Sequence, residues 1–176
     1  PKEKIGVVKS LVPDISLVHG WAADPYGNVI PMFRDAESVW GAKASKNGAI
    51  VTVEKIVSTE CLREYPSLVK IPGHVVRAVA VAPFGAHPAA MGNPTLRGLE
   101  PYAHDADFLS TLRNAGKQQD TMDAWIQEWV LSCKTQEEYL AKLGYQRVFA
   151  LRGRASKDSW EREMDSLAGN ISPSSE

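Results

Sequence analysis

The sequence is poor in cysteine, nearly balanced in charge and without a long apolar run. Its two cysteines, Cys61 and Cys133, form no Cys-x-x-Cys pair, so neither a zinc knuckle nor a disulfide framework is indicated. With 20 Lys and Arg against 21 Asp and Glu, no net field favours nucleic acid or an anionic membrane surface. No apolar run approaches the roughly 20 residues that span a bilayer, and the first residues carry no signal-peptide pattern. We therefore expect a cytoplasmic protein with reduced thiols that binds neither nucleic acid nor a membrane.

The motifs that hold common cofactors or activate common nucleophiles are also missing. The sequence contains no Gly-x-Gly-x-x-Gly, no phosphate-binding Walker loop, no His-Glu-x-x-His and no Gly-x-Ser-x-Gly. These absences argue against the standard nucleotide, zinc-protease and serine-hydrolase sites. We expect no metal and no permanently bound cofactor.

At 176 residues the chain has the length of one domain. We expect a single α/β domain over residues 1–168, followed by a disordered tail over 169–176. Apolar runs predict strands at 12–18, 29–33, 49–57 and 75–81, with helices at 36–45 and 58–65. Their alternation indicates a layered, mostly parallel sheet flanked by helices. The strand over 49–57 is the strongest, and its continuous apolar character is typical of a strand buried on both faces.

The second half of the sequence changes in texture. Residues 83–101 are rich in Gly, Pro, His and Asn, which predicts a long mobile loop that is functional or covers a neighbouring chain. His87 lies in this loop, and we expect it to be exposed, as we do His74. From Asp105 the chain is predicted to be helical, with helices over 122–133, over 135–144 and from Ser156. Three tryptophans are expected in a core or subunit interface rather than under an adenine ring, because they lie on helical apolar faces: Trp125, Trp129 and Trp160.

The clearest local signal is a tight turn between two strands. Asp24 supplies a side-chain acceptor, Pro25 presets φ, and Gly27 tolerates the exit conformation, as a type I turn requires. The turn places Asp24 and Asn28 side by side. We expect the preceding strand to end at His19.

A series of short blocks follows in a fixed order along nearly the whole chain. The blocks are Pro13-Asp14, the apolar run 15–18, His19, Ala23-Asp24-x-x-Gly27-Asn28, Ala42-Lys43-Ala44, Ile50-Val51-Thr52-Val53-Glu54-x-Ile56-Val57, Ile71-Pro72-Gly73-His74-Val75-Val76, Ala82-Pro83-Phe84-Gly85-Ala86-His87-Pro88, and a helical tail opened by Tyr102 and Asp105. Together they resemble the α subunit of family I CoA transferases, of the glutaconate CoA-transferase type. The blocks correspond to the second half of that subunit.

The resemblance implies an enzyme subunit that moves CoA between carboxylic acids, with coenzyme A as a substrate. In this subgroup the nucleophile is a glutamate of the β subunit, which becomes a glutamyl-CoA thioester. The expected Glu-x-Gly context is absent here, so no catalytic residue is expected in this chain. The expected partners are the missing N-terminal half of the α subunit together with a β-type subunit. Two alternatives stay open: a CoA-dependent ring-opening hydrolase of the same fold, and a non-catalytic scaffold subunit.

Three residues are candidates for binding the acyl group: His19, Asn28 and Glu54. The resemblance places them near the carboxyl ends of neighbouring strands, where open α/β sheets generally bind ligands. Each also has a structural alternative. Asn28 can bond its own turn, His19 can be a hydrogen-bonded residue at a strand end, and Glu54 can pair with Lys55, Arg63 or a partner-chain cation.

Overall fold

A computed structural model of the chain describes residues 6, 8–32, 37–92 and 98–155. The chain divides into two compact units, Pro1–Val81 and Ala82–Glu176. A single folding domain over 1–168 stays a prediction, because two compact units can still fold together. The tail over 169–176, Trp160 and the helix predicted from Ser156 lie outside the described residues.

Unit one contains a four-stranded sheet in the order β2-β1-β3-β4. Its strands are β1 Ser16–Ala23, β2 Val29–Pro31, β3 Ala49–Ile56 and β4 Val76–Val81. β1 pairs antiparallel with β2 and parallel with β3, and β3 pairs parallel with β4. The predicted mostly parallel α/β sheet is confirmed, with β3 in its interior.

The helices of unit one are α1 Glu37–Ala44 and α2 Thr59–Arg63, and a 3₁₀ turn covers Gly73–Val75. Ser58 caps α2, since its hydroxyl accepts a hydrogen bond from the Cys61 N–H at 3.2 Å. The core forms where α1 covers one face of the sheet. Its buried residues include Val39 and Ala42 of α1 and the strand residues Val18, Val51 and Val53.

Two features of the strands differ from the sequence predictions. β1 does not end at His19 but continues to Ala23, because residues 20, 22 and 23 pair on both sides, with β2 and with β3. The prediction that β3 is buried on both faces is wrong at Ile50 and Ile56, which are exposed. Val51 and Val53 lie on the face that α1 covers, and both are fully buried.

Unit two is helical, as predicted. It contains α3 Ala106–Ala115, α4 Gln119–Ile126, a π-helical turn over Gln127–Leu131, α5 Gln136–Leu143 and a helix, α6, over residues 145–155. Asp105 caps α3, and Thr135 caps α5 by accepting a hydrogen bond from the Glu138 N–H at 3.2 Å. Gly144, with φ of 90°, ends α5.

Aromatic side chains form much of the interior of unit two. The Phe108 ring makes edge contacts with Trp125 and Trp129, at centroid distances of 5.6 and 4.8 Å. Trp125 and Trp129 are half-buried against Phe108, and their expected place in a core or subunit interface stays a prediction. The stretch before Tyr102 contributes buried Phe84 and Met91 to this interior. None of the described helices has the length and apolar composition needed to cross a bilayer.

Candidate functional site

The predicted turn after β1 is confirmed. The Gly27 N–H donates to the Asp24 carbonyl at 3.0 Å, which closes the four-residue turn, and Gly27 has φ of 81°. Glycine adopts this left-handed conformation without steric cost. The turn fixes the position of Asp24 at the end of β1.

The Asp24 carboxylate connects three separate segments of unit one. One oxygen accepts from the N–H groups of Tyr26 at 3.0 Å and Asn28 at 2.9 Å. The other accepts from the Asn28 amide at 2.9 Å and from the Thr59 hydroxyl at 3.0 Å. The Asn28 side-chain oxygen in turn accepts from the Gly73 N–H at 3.0 Å.

These hydrogen bonds keep Asp24 ionised. Burial acts to raise the pKa of Asp24, but donation from the Asn28 side chain and backbone, Thr59 and Tyr26 outweighs it and lowers the pKa. These donors belong to Tyr26 and Asn28 in the turn and to Thr59 at the start of α2. Asp24 therefore acts as an anionic anchor of the turn.

The second polar group lies on β1 and β3. His19 Nε2 lies 3.0 Å from Glu54 Oε1, and its Nδ1 lies 2.8 Å from the Thr52 hydroxyl. The His19 and Glu54 side chains are 14% and 9% exposed. The parallel register pairs His19 with Thr52, which places Glu54 one diagonal step away on the same face.

The structure thus brings together two of the three candidate residues. His19 and Glu54 are hydrogen-bonded to each other, so the structure gives Glu54 a partner that the sequence did not indicate. Asn28 instead bonds Asp24 and Gly73, as the turn alternative expects. Binding of an acyl group by these three residues stays a prediction.

A third polar cluster occupies the interior of unit two, and the sequence reasoning missed it. His87 Nε2 lies 3.1 Å from an Asp105 oxygen, and His87 Nδ1 lies 2.6 Å from the Tyr139 hydroxyl. Arg147 donates to both Asp105 oxygens, at 2.5 and 3.0 Å. The His87 side chain is 0% exposed, so its predicted exposure is wrong, whereas His74 is exposed as predicted.

The protonation states in this cluster follow from burial and from Arg147. Burial lowers the pKa of His87, and the neighbouring Asp105 carboxylate only partly opposes this. Burial acts to raise the pKa of Asp105, but the Arg147 guanidinium, the Phe108 N–H and His87 together hold it well below its usual range. Burial, with the Asp105 charge, raises the pKa of Tyr139 to about 12.

A neutral imidazole satisfies both neighbours at once. Its Nε2–H donates to Asp105, and its Nδ1 accepts the Tyr139 hydroxyl proton. A phenol whose pKa is raised is a poor nucleophile, and the imidazole is enclosed. This cluster therefore stabilises unit two and offers no reactive group to a substrate.

Two sequence signals could have located the cluster, but neither gives its partners. Asp105 stands where an N-cap is expected, and Pro88 follows His87 in a stretch otherwise typical of loops. Tyr139 lies 52 residues from His87, and Arg147 lies 42 residues from Asp105. Contacts at such separations have no local pattern. The described residues contain no group of three or more His, Cys, Asp or Glu side chains placed to hold a metal ion.

Unit two also carries a groove of about 490 Å³ on its surface. Tyr145 and Phe149 of α6 stack along it, with ring centroids 6.0 Å apart. Arg152 and Glu100 lie at its polar end and form an ion pair of 2.9 Å. The groove therefore has an aromatic surface, and the opposite charges of Arg152 and Glu100 beside it neutralise each other.

Comparison with known proteins identifies relatives in sequence and in structure. No family model matches the chain. It is 38% identical over 152 residues to the A subunit of glutaconate CoA-transferase from Acidaminococcus fermentans, covering 86% of this chain and 45% of that protein. It is 29% identical over 149 residues to the A subunit of 3-oxoadipate CoA-transferase from Pseudomonas knackmussii, covering 80% of this chain and 46% of that protein.

A solved structure gives the same result. The chain superposes on glutaconate coenzyme A-transferase from Acidaminococcus fermentans with a TM-score of 0.68 and 38% identity, over 79% of this chain and 41% of that one. The chain therefore spans slightly less than half the length of these relatives.

Proposed function

The chain belongs to the family of glutaconate CoA-transferase A subunits, and we propose on this premise that it is the A-type part of an enzyme that transfers CoA between carboxylic acids. The single observation that carries the proposal is the 38% identity over 152 residues, on the same fold. A second relative, acting on 3-oxoadipate by its name, supports CoA transfer as the common activity. Coenzyme A is then a substrate, and the proposed location is the cytoplasm.

The proposed reaction uses a glutamate of a β-type partner subunit. Its carboxylate attacks the acyl-CoA carbonyl carbon and expels the CoA thiolate, which leaves an acyl-glutamyl anhydride. The thiolate then attacks the glutamyl carbonyl, releasing the first acid as its carboxylate and forming the glutamyl-CoA thioester. The acceptor carboxylate reverses both steps, so atoms and charge balance without a redox cofactor.

In this proposal His19 and Glu54 shape the acyl pocket. They lie side by side on β1 and β3, with most of each side chain withdrawn from solvent. The hydrogen bond between them fixes the positions of both side chains beside the substrate. Because a carboxylate accepts hydrogen bonds, the His19 nitrogen that faces Glu54, Nε2, carries a proton.

We also propose that Asn28 binds the acyl group, in addition to forming hydrogen bonds within the turn. One amide hydrogen and its carbonyl oxygen are engaged by Asp24 and Gly73, which fixes the plane of the side chain. The second amide hydrogen is the one offered to a substrate carboxylate. A fixed donor of this kind loses little entropy on binding.

The proposed assembly needs more than this chain. The matched segment is less than half of each A-subunit relative. We propose that the active assembly also contains an N-terminal half of A type, together with the β-type subunit. In the assembled enzyme the glutamyl thioester forms on the β-type subunit. The chain alone is then inactive.

Hydroxylamine trapping tests this function. The purified complex is incubated with acyl-CoA and hydroxylamine, and both activity and glutamate hydroxamate formation are followed, the latter by peptide mass spectrometry. A transferase loses activity in step with hydroxamate formation on the partner chain. A complex that turns over acyl-CoA without hydroxamate is the ring-opening hydrolase instead, and transfer by the pure chain would remove the proposed division of roles. No turnover in any complex leaves the scaffold alternative.

A further inference from the structure

Thr52 lies on β3, a strand of unit one that has a neighbouring strand on each side. The parallel register pairs Thr52 with His19 of β1 and with Ala80 of β4, so the backbone groups of β3 are used by the two ladders. Val51 and Val53 are fully buried on the face that α1 covers. Because side chains alternate along a strand, the half-buried Thr52 stands on the opposite face, which carries His19.

The two ring nitrogens of His19 have different kinds of partner. Nε2 lies 3.0 Å from a carboxylate oxygen of Glu54, which only accepts hydrogen bonds, so Nε2 carries a proton. In the neutral ring Nδ1 is then an acceptor, and the Thr52 hydroxyl, 2.8 Å away, can donate to it. Most of the His19 side chain is withdrawn from solvent, where an acceptor without a donor is costly. Thr52 thus supplies the hydrogen bond that Nδ1 needs.

The contacts with Thr52 and Glu54 together define one orientation of the His19 ring. A half-turn of the ring about its Cβ–Cγ bond would place carbon atoms where the two nitrogens now lie, and both hydrogen bonds would be lost. Threonine is suited to this contact, because its β-branched side chain has few allowed rotamers and so directs its hydroxyl narrowly. The ring is therefore fixed from both of its nitrogen atoms.

From these contacts we infer that Thr52 is a positioning residue, whose hydroxyl donates to Nδ1 and holds His19 in a single orientation with the proton on Nε2. Its meaning for the reaction rests on the proposed function, in which His19 helps to shape the acyl pocket. A ring that is already fixed costs less entropy when the acyl group binds beside it. Thr52 acts through His19, and no contact between Thr52 and the substrate is required.

Nitrogen NMR of the imidazole rings tests the inference on the full chain alone. The chain is prepared with isotope-labelled histidine and measured at pH 8.5, well above the ordinary histidine pKa of about 6.5. A His19→Gln chain identifies the His19 signals among those of the four histidines. The parent should show one set of His19 signals, with Nε2 protonated and Nδ1 unprotonated. Thr52→Ser, which keeps the hydroxyl, should show the same pattern, whereas Thr52→Val should show a mixture of the two tautomers.

Thr59→Val is the matched control in these spectra. Thr59 is also a half-buried threonine of unit one, but its hydroxyl donates to Asp24, so the His19 signals should be parental. A parent ring that is protonated on Nδ1 at pH 8.5 would overturn the inference, whether or not the variants fold. Parental His19 signals in Thr52→Val would overturn it as well, and Thr52→Ala, which also lacks the hydroxyl, replaces a Thr52→Val chain that does not fold.

Kinetics of the assembled complex separate this inference from the proposed function. Thr52→Val should lower kcat/KM at least tenfold, as His19→Ala does, and Thr52→Ser should restore a value close to that of the parent. Because Thr52 acts through His19, adding Thr52→Val to His19→Ala should cause no further loss. A further tenfold loss in the double variant would show that Thr52 acts by itself and would overturn the inference. A parent complex without CoA transfer contradicts the proposed function, while the NMR pattern still decides whether Thr52 positions His19.

Discussion

Replacing Asp105 by Asn removes one charge from the interior of unit two while keeping the shape of the side chain. The carboxylate accepts two hydrogen bonds from Arg147, one from His87 and one from the Phe108 N–H. Asn can still cap α3, because its side-chain oxygen can accept from Phe108. Its amide group, however, presents N–H to either Arg147 or His87, both of which are donors at this point.

The magnitude follows from the charge that is left behind. Removing one partner of a buried ion pair typically costs about 3–5 kcal/mol, because the other charge stays desolvated. The Arg147 side chain is 35% exposed, so water can compensate part of its charge, and the lower end applies. We expect Asp105→Asn to lower the free energy of unfolding by about 3 kcal/mol. On the scale of a 150–250-residue protein this is a fall in Tm of about 6–12 °C.

Differential scanning calorimetry at pH 7.5 measures this directly, with Glu100→Gln as the control. Glu100 also pairs with an arginine, Arg152, but that carboxylate is 68% exposed, and exposed pairs contribute roughly 0–1 kcal/mol. Glu100→Gln should therefore melt within about 4 °C of the parent. An Asp105→Asn protein that melts as late as the Glu100→Gln control would refute the claim that the buried cluster stabilises unit two.

Three further expectations follow from the same geometry. Burial lowers the pKa of His87 below its ordinary 6.5, so the stability that the neutral ring contributes is complete above pH 6.5 and is lost as the pH falls through the folded-state pKa. Urea unfolding titrations from pH 8 to pH 5 should show the free energy of unfolding falling with the pH, and a flat profile contradicts this expectation. Gly73→Ala should lose about 2 kcal/mol or more, since an added Cβ would lie 2.0 Å from a carbonyl oxygen, whereas Gly92→Ala, with open space, should melt like the parent. In the assembled enzyme, Glu54→Gln and His19→Ala should each reduce kcat/KM at least tenfold, about 1.4 kcal/mol, with assembly unchanged; parental kinetics in both would place the acyl pocket elsewhere.

Local chemistry accounts for the features that the sequence predicted well. The Asp-Pro-x-Gly turn, the Ser58 cap and the Thr135 cap each depend on residues within a few positions of one another. The interior position of β3 follows from its density of β-branched residues. In all of these, the physical cause lies within the segment itself.

The failures have a common cause, which is contact between distant segments. β1 extends past His19 because both neighbouring strands continue to pair with it, and no residue of β1 itself signals this. The exposure of Ile50 depends on which face α1 covers. The Pro- and Gly-rich surroundings of His87 predict a surface position, yet Tyr139 and Asp105 enclose it from later segments. Likewise, the pairing of His19 with Glu54 spans 35 residues.

We expect the Asp24 carboxylate also to slow amide hydrogen exchange in the segments that it joins. The N–H groups of Tyr26 and Asn28 donate hydrogen bonds to the Asp24 carboxylate. The Gly73 N–H donates to the side-chain oxygen of Asn28, whose amide group donates to Asp24. The arrangement joins segments that are distant in the chain, since 45 residues separate Asn28 from Gly73. We expect these three protons to exchange at similar rates, because the turn and the segment before β4 share the Asp24 and Asn28 side chains as acceptors.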